Sequence, residues 1–156
     1  SSRVVVRLPL AVRPQNLCFK ADGGQLFVTG EGSDAVAIVF PYSTEVAETV
    51  LAGRAPGAMA ASPASPDTAE YLFVTNAASS QVTILNIETR KVVSVTQVGA
   101  QPSHVVITPD NQYALVLNHD SGDMAVIRLT AVKSQRNKTA PLFTMVPVGE
   151  APKSLA

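Results

Sequence analysis

Residues Tyr71-Leu72-Phe73-Val74-Thr75-Asn76 form a β-type run, closed by Ala77-Ala78-Ser79-Ser80 and answered by a second run from Val82 to Ile87. After Glu88-Thr89-Arg90 a third run spans Lys91 to Val98. Gly99-Ala100-Gln101-Pro102 then leads into Val105-Val106-Ile107 and the turn Pro109-Asp110-Asn111. Short runs rich in Val, Ile and Thr, punctuated by Gly, Pro, Asn and Ser, mark strands joined by tight turns.

The pattern recurs on both sides. Blocks ending in proline stand at Ala11-Val12-Arg13-Pro14, Gly53-Arg54-Ala55-Pro56, Gly99-Ala100-Gln101-Pro102 and Gly149-Glu150-Ala151-Pro152, with prolines 42, 46 and 50 residues apart. Each of the first three is followed by a second landmark: Phe27-Val28-Thr29-Gly30, Phe73-Val74-Thr75-Asn76 and Leu115-Val116-Leu117-Asn118. A third run follows at Val36 to Phe40, Val82 to Ile87 and Met124 to Leu129. Let a, b, c and d denote the four strands of one module. From the end of b to the start of c the step is 6 residues in every module. Four extra residues within Pro63 to Glu70 and eight within Thr130 to Ala140 account for the whole drift in spacing. Both insertions fall in a–b or c–d turns, which share one end of an antiparallel meander. The b–c and d–a turns at the other end keep their length. Insertions in repeat proteins collect on one face, often a binding face. The second insertion is basic, with Lys133, Arg136 and Lys138, and is expected to dock an acidic partner.

Ala114-Leu115-Val116-Leu117 and Val36-Ala37-Ile38-Val39-Phe40 do not alternate with polar residues. Strands of this kind are covered on both faces. Four-stranded sheets repeating every 40 to 50 residues and covered on both faces are blades of a β-propeller. A β-sandwich of about twelve strands is the competing architecture, but it does not require a fixed four-strand repeat. The expected fold is therefore all-β, with about thirteen strands and essentially no helix. One partial propeller domain covers 1–156. It comprises an orphan strand at 3–9, modules at about 10–52, 53–98 and 99–148, and the start of a further strand at 149–156. Three blades do not close a ring. The expected partners are the remaining blades of a longer parent chain or another copy in a homo-oligomer, with a protein ligand beside them.

The chain has 156 residues, zero net charge and 15% charged residues. That balance argues against nucleic acid, whose phosphates demand clustered Lys and Arg. No apolar run approaches the roughly 18 residues of a membrane span. Cys18 is the single cysteine, so no internal disulfide forms. It falls within an apolar strand and is expected to be a buried, inert thiol. No signal-peptide pattern opens the chain, as would also hold for a processed or truncated one.

The motifs resemble the YVTN family of β-propeller repeats. The match lies in Val74-Thr75-Asn76, Val82-Thr83-Ile84-Leu85-Asn86-Ile87, Glu88-Thr89-Arg90-Lys91-Val92, the corner Val98-Gly99-Ala100-Gln101-Pro102, and Thr108-Pro109-Asp110. Module one departs from it, with Gly30 where Asn is expected. The resemblance implies a periplasmic, cell-surface or secreted protein. Propellers related to this family include lactonases and proteins that surround redox cofactors.

Two histidines are present, His104 opening strand a of module three and His119 closing its strand b. If Thr108 faces Tyr113, His104 pairs with Leu117, and His119 lies one step further on the same face. Both would then sit near the mouth of a central channel, with Asp120 and Asp123 in the adjoining turn. Imidazoles and carboxylates grouped in this way bind ligands or act as acid and base. In the competing reading the histidines bond to backbone, and Asp120 or Asp123 orders the hairpin. Two histidines fall short of a usual zinc set, so no metal is assigned. Asp22, Asp67 and Asp110 occupy corresponding a–b turns, where an Asp bonds its own backbone. No phosphate loop or nucleophile elbow occurs. The sequence thus points to a scaffold for binding, with no catalytic residue and no cofactor. The alternative is part of a propeller enzyme, lactonase-like or redox-active, with its site at the channel mouth.

Overall fold

The computed structural model describes residues 10, 13–42, 45–65, 69–132 and 142–147. The strands expected at 3–9 and 149–156 lie outside the described residues, as do Asp67, Lys133, Arg136 and Lys138.

The fold is all-β, a β-propeller segment of three four-stranded antiparallel sheets. The first sheet holds β1 (Arg13–Phe19), β2 (Leu26–Glu31), β3 (Ala35–Phe40) and β4 (Glu45–Leu51), in that order. The second holds β5 (Pro56–Ala61), β6 (Tyr71–Asn76), β7 (Gln81–Asn86) and β8 (Lys91–Gln97). The third holds β9 (Pro102–Ile107), β10 (Tyr113–Asn118), β11 (Asp123–Arg128) and β12 (Leu142–Pro147). The described residues thus contain twelve strands. Leu129, expected to end a strand, instead opens a single helical turn, Leu129–Val132. Leu129 and Val132 are buried against the neighbouring sheet, so packing fixes the start of this insertion. Among the described residues, no helix is long and apolar enough to cross a membrane.

The sheets stack face to face, and β5 lies beside both β1 and β9. Alternation along each strand decides which neighbour a side chain meets. Leu72 and Val74 pack with Phe27, Val36 and Ile38 of the first sheet. Phe73, Val82 and Ile84 pack with Val105, Val116 and Ile127 of the third. Phe27 and Phe73, at equivalent positions, each fill the gap toward the following sheet and are fully buried. Burying such a ring contributes about 1.5–3 kcal/mol. At the outer edge the Arg90 guanidinium binds Glu48 at 3.0 Å and lies 5.2 Å over the Phe40 ring. At the opposite end of the strands, the Thr29 hydroxyl donates to the Gly57 carbonyl of the next sheet at 2.7 Å.

Bulges recur in register. Every d strand carries one extra residue opposite the middle of its c strand, between the partners of Ile38/Val39, Ile84/Leu85 and Val126/Ile127. Each inner strand also slips just after its corner proline, at Pro14/Asn16, Pro56/Met59 and Pro102/His104. Bulges raise local twist and re-aim side chains. The inner-strand bulges turn residues out of the ladder at the end where the b–c turns lie.

Candidate functional site

The length-invariant end is tied together by its own backbone. Ala77 N–H donates to the Ala55 carbonyl at 3.2 Å, and His119 N–H donates to Gln101 at 2.8 Å, joining each b–c turn to a d–a corner. Val98 N–H donates to Ser80 at 2.9 Å, and Ala52 N–H to Asp34 at 2.8 Å, joining the other side of the turn. Ala55 and Gln101, each just before a corner proline, adopt left-handed backbone with φ of 54° and 53°. A changed loop length here would break backbone bonds, which explains why the sequence spacing is constant at this end.

An asparagine completes two of these corners. Asn76, fully buried, donates through Nδ2 to Thr83 Oγ1 at 2.7 Å, and Thr83 Oγ1 donates to the Ala52 carbonyl at 2.6 Å. Because the threonine proton is committed to Ala52, its oxygen can only accept from Asn76, and this fixes the amide orientation. Asn118, equally buried, donates to Asp123 Oδ1 at 2.8 Å, and the Ser121 hydroxyl donates to the same oxygen at 2.8 Å.

Above these corners lies an open groove of about 520 Å³ that spans all three sheets. The inner strands contribute Gln15, Asn16, Gly57, Ala58 and Ser103, at or next to the bulges. The first b–c turn contributes Glu31, Ser33 and Asp34, and the corners add Ala55 and Gln101. This floor of small residues, amides and hydroxyls can make hydrogen bonds of either sense to a bound molecule. The sequence reading did not single out Glu31 or Asp34. The only signal for them was their place in the invariant turn, which gains meaning once three such turns are side by side.

His104, His119, Asp120 and Asp123 all belong to the third module. His104 pairs with Leu117 across β9 and β10, the register that a Thr108–Tyr113 pairing implies. It therefore shares a face with Val106, Leu115, Leu117, Met124 and Val126, turned away from the second sheet. Its Nδ1 lies 3.2 Å from Ser103 Oγ. His119 stands beyond the end of β10, with Nδ1 2.8 Å from Asp120 Oδ1. Asp123 belongs to the Asn118–Ser121 network. None of the four lines the groove. Among the described residues, no group of three or more His, Cys, Asp or Glu side chains is placed to hold a metal ion.

Cys18 lies half-buried on β1 against the core between the first two sheets. Burial pushes its thiol up, opposed by a hydrogen bond from the Ala61 backbone. The turn carboxylates move the other way. The Gly24 N–H, and then Lys20, hold Asp22 below its usual range. The Thr108 hydroxyl, and then the Gln112 N–H, do the same for Asp110.

No family model matches the chain. It is 26% identical over 151 residues to the seven-bladed beta-propeller protein Rv1057 of Mycobacterium tuberculosis, covering 95% of this chain and 36% of that protein. Among solved structures it resembles the hydrazine synthase of Kuenenia stuttgartiensis, with TM-score 0.77 and 22% identity, over 98% of this chain and 41% of that one. It also resembles a Bacteroides fragilis protein described as a 6-phosphogluconolactonase, with TM-score 0.69 and 22% identity, over 88% and 40% of the two chains. These likenesses show the propeller fold. The chain spans 36% of the length of the curated relative.

Proposed function

We propose that the chain is the arc of a larger β-propeller that serves as a non-catalytic binding scaffold, with the groove at the corner end of its inner strands as the contact surface. The observation that carries this reading is the groove itself. Its walls come from three sheets, bulges turn Gln15 and Ser103 out of the ladder, and its floor is braced by buried asparagine corners. Such a surface is rigid before a ligand arrives, which lowers the ordering cost of binding. The full surface includes further blades, supplied by the parent chain or by another copy. A periplasmic, cell-surface or secreted location, and membership of the YVTN repeats, belong to the same reading and rest on the motif resemblance.

The enzyme alternative draws on the likeness to the Bacteroides fragilis protein. It would use His119 and Asp120, whose imidazole and carboxylate are already in contact. An assay of sugar-lactone hydrolysis by the purified protein separates the two. The scaffold reading expects no turnover above buffer. Turnover that is lost in His119→Ala, with unchanged thermal stability, would overturn it.

A further inference from the structure

The sequence contains a single Asp-Gly pair, Asp22-Gly23, and no Asn-Gly pair. It lies in the exposed turn between β1 and β2. In such a pair the glycine nitrogen can attack the aspartyl carboxyl carbon. The N–Cγ bond forms, the Cγ–OH bond breaks, and the amide proton leaves with the hydroxyl as water. Water then reopens the cyclic succinimide at either carbonyl. One opening restores aspartate; the other gives isoaspartate, whose main chain runs through the side-chain carbon. The reaction needs no oxidant and no cofactor. Glycine favours it because no Cβ crowds the attacking nitrogen. Space is open here as well, since a Cβ built on Gly23 would meet nothing within 4 Å.

The folded turn holds both reacting groups off this path. Gly23 N–H donates to the Lys20 carbonyl at 2.8 Å. Asp22 Oδ1 accepts from Gly24 N–H at 2.8 Å, and Oδ2 binds Lys20 Nζ at 3.0 Å. Lys20 Nζ also binds Glu70 Oε2, just before β6, at 3.4 Å. These bonds favour the ionised carboxylate, which is a poor electrophile, and engage the amide proton that must leave. The third sheet builds the same turn. Gly23 and Asn111 both take left-handed backbone, with φ of 75° and 59°. Asn111 N–H donates to the Thr108 carbonyl at 2.8 Å, and Gln112 N–H donates to Asp110 Oδ1 at 3.2 Å. There the residue after the aspartate carries a side chain, and a threonine hydroxyl stands in place of the ammonium. We infer that Asp22 is the isoaspartate-forming site of this chain, and that Lys20, anchored by Glu70, clamps it while the hairpin is folded. Lys20 N–H donates to the Gln25 carbonyl at 2.9 Å, closing the hairpin. Conversion lengthens the main chain between these two residues and breaks that bond, so it marks chains whose β1–β2 hairpin has opened.

The test ages the whole chain, and a peptide covering 19–26, at neutral pH and body temperature. Isoaspartate is located by fragmentation mass spectrometry and counted by enzymatic carboxyl methylation. The peptide is expected to convert at Asp22 at least about tenfold faster than the folded chain, because the folded turn must first open two hydrogen bonds. Lys20→Met keeps the stem and removes the charge. It should speed the folded chain by about twofold to fivefold, the worth of one exposed ion pair. Salt at about 0.5 M should speed the natural chain similarly and leave Lys20→Met unmoved, an arm that holds even if the substitution disturbs the fold. Asp110 should stay unmodified over the same period. Equal rates in chain and peptide would overturn the protection by the turn. Isoaspartate gathering first at any other residue would overturn the site. No response either to Lys20→Met or to salt would overturn the role of Lys20.

Discussion

Gly53 illustrates how one residue can be required by another far along the chain. A Cβ placed on Gly53 would lie 2.6 Å from Cγ and Nδ2 of Asn76. A Cβ on Gly99 would meet Ser121 Oγ and would lie 2.5 Å from Asp123 Oδ1 and 2.9 Å from Asn118 Cβ. The glycines are needed for space, so that the corner can close over the buried amide. Gly53→Ala should cost about 1–3 kcal/mol through overpacking. Asn76→Ala should cost about 1–2 kcal/mol through the lost bond to Thr83. In the double variant the added methyl meets no amide, so chemical denaturation should show the two costs to be clearly less than additive. Asp22 and Asp110 give a pH dependence of known sign. Both carboxyls are held below their usual range in the fold. The unfolded chain therefore binds more protons, and their contribution is complete above about pH 4 and is lost as pH falls through the folded values. Melting curves between pH 5 and pH 3 should fall more steeply for the natural chain than for Asp22→Asn with Asp110→Asn. Parallel curves would show that the turn bonds do not affect stability.

At the scale of the element, the two ends of the strands obey different rules. The b–c turn from Ala77 to Ser80 spends its backbone on the corners, through Ala77 to Ala55 and Ser80 to Val98. Two glycines inserted between Ala78 and Ser79 should break both bonds and cost about 2 kcal/mol. For a chain of this size that is a fall of about 4–8 °C in melting temperature. The same pair inserted after Pro63, where module two already carries extra residues, should cost well under about 1 kcal/mol, because loop closure grows only slowly with length. Equal losses at the two sites would refute the distinction. A repeated bulge on every d strand shows that twist, too, is built per blade.

At the scale of the whole described structure, the outer faces of the first and third sheets carry apolar side chains as their inner faces do. Phe27 and Phe73 each face the following sheet, and Leu115 holds the equivalent place on the face turned away from the second sheet. On the opposite flank Leu17 and Phe19 are 66% and 57% exposed, on the face of β1 that looks away from β5. Large apolar side chains set in a contiguous face mark a surface that another element covers. Sedimentation of the isolated chain should therefore show association that grows with concentration. Leu17→Ser with Phe19→Ser should reduce it without lowering the melting temperature. A monomer at all concentrations would show that these faces need no cover.

The sequence by itself determined the strands, their order and the meander, because apolar runs and turn residues act over a few positions. Pro14, Pro56 and Pro102 with Asn76 and Asn118 even marked which end would keep its length. The conditional register of His104 with Leu117 was also legible, since Thr108 and Tyr113 flank a short turn. Tertiary structure alone decided that Leu129 begins a helical turn, because burial against the second sheet outweighs strand continuity there. It alone decided that the His104 face is the one turned away from the second sheet, since a strand pattern does not say which neighbour covers which face. It also decided that Glu31, Asp34, Gln101 and Ser103 share one groove. Residues some 70 positions apart meet only when sheets stack, and no local pattern records the contact that stacking creates.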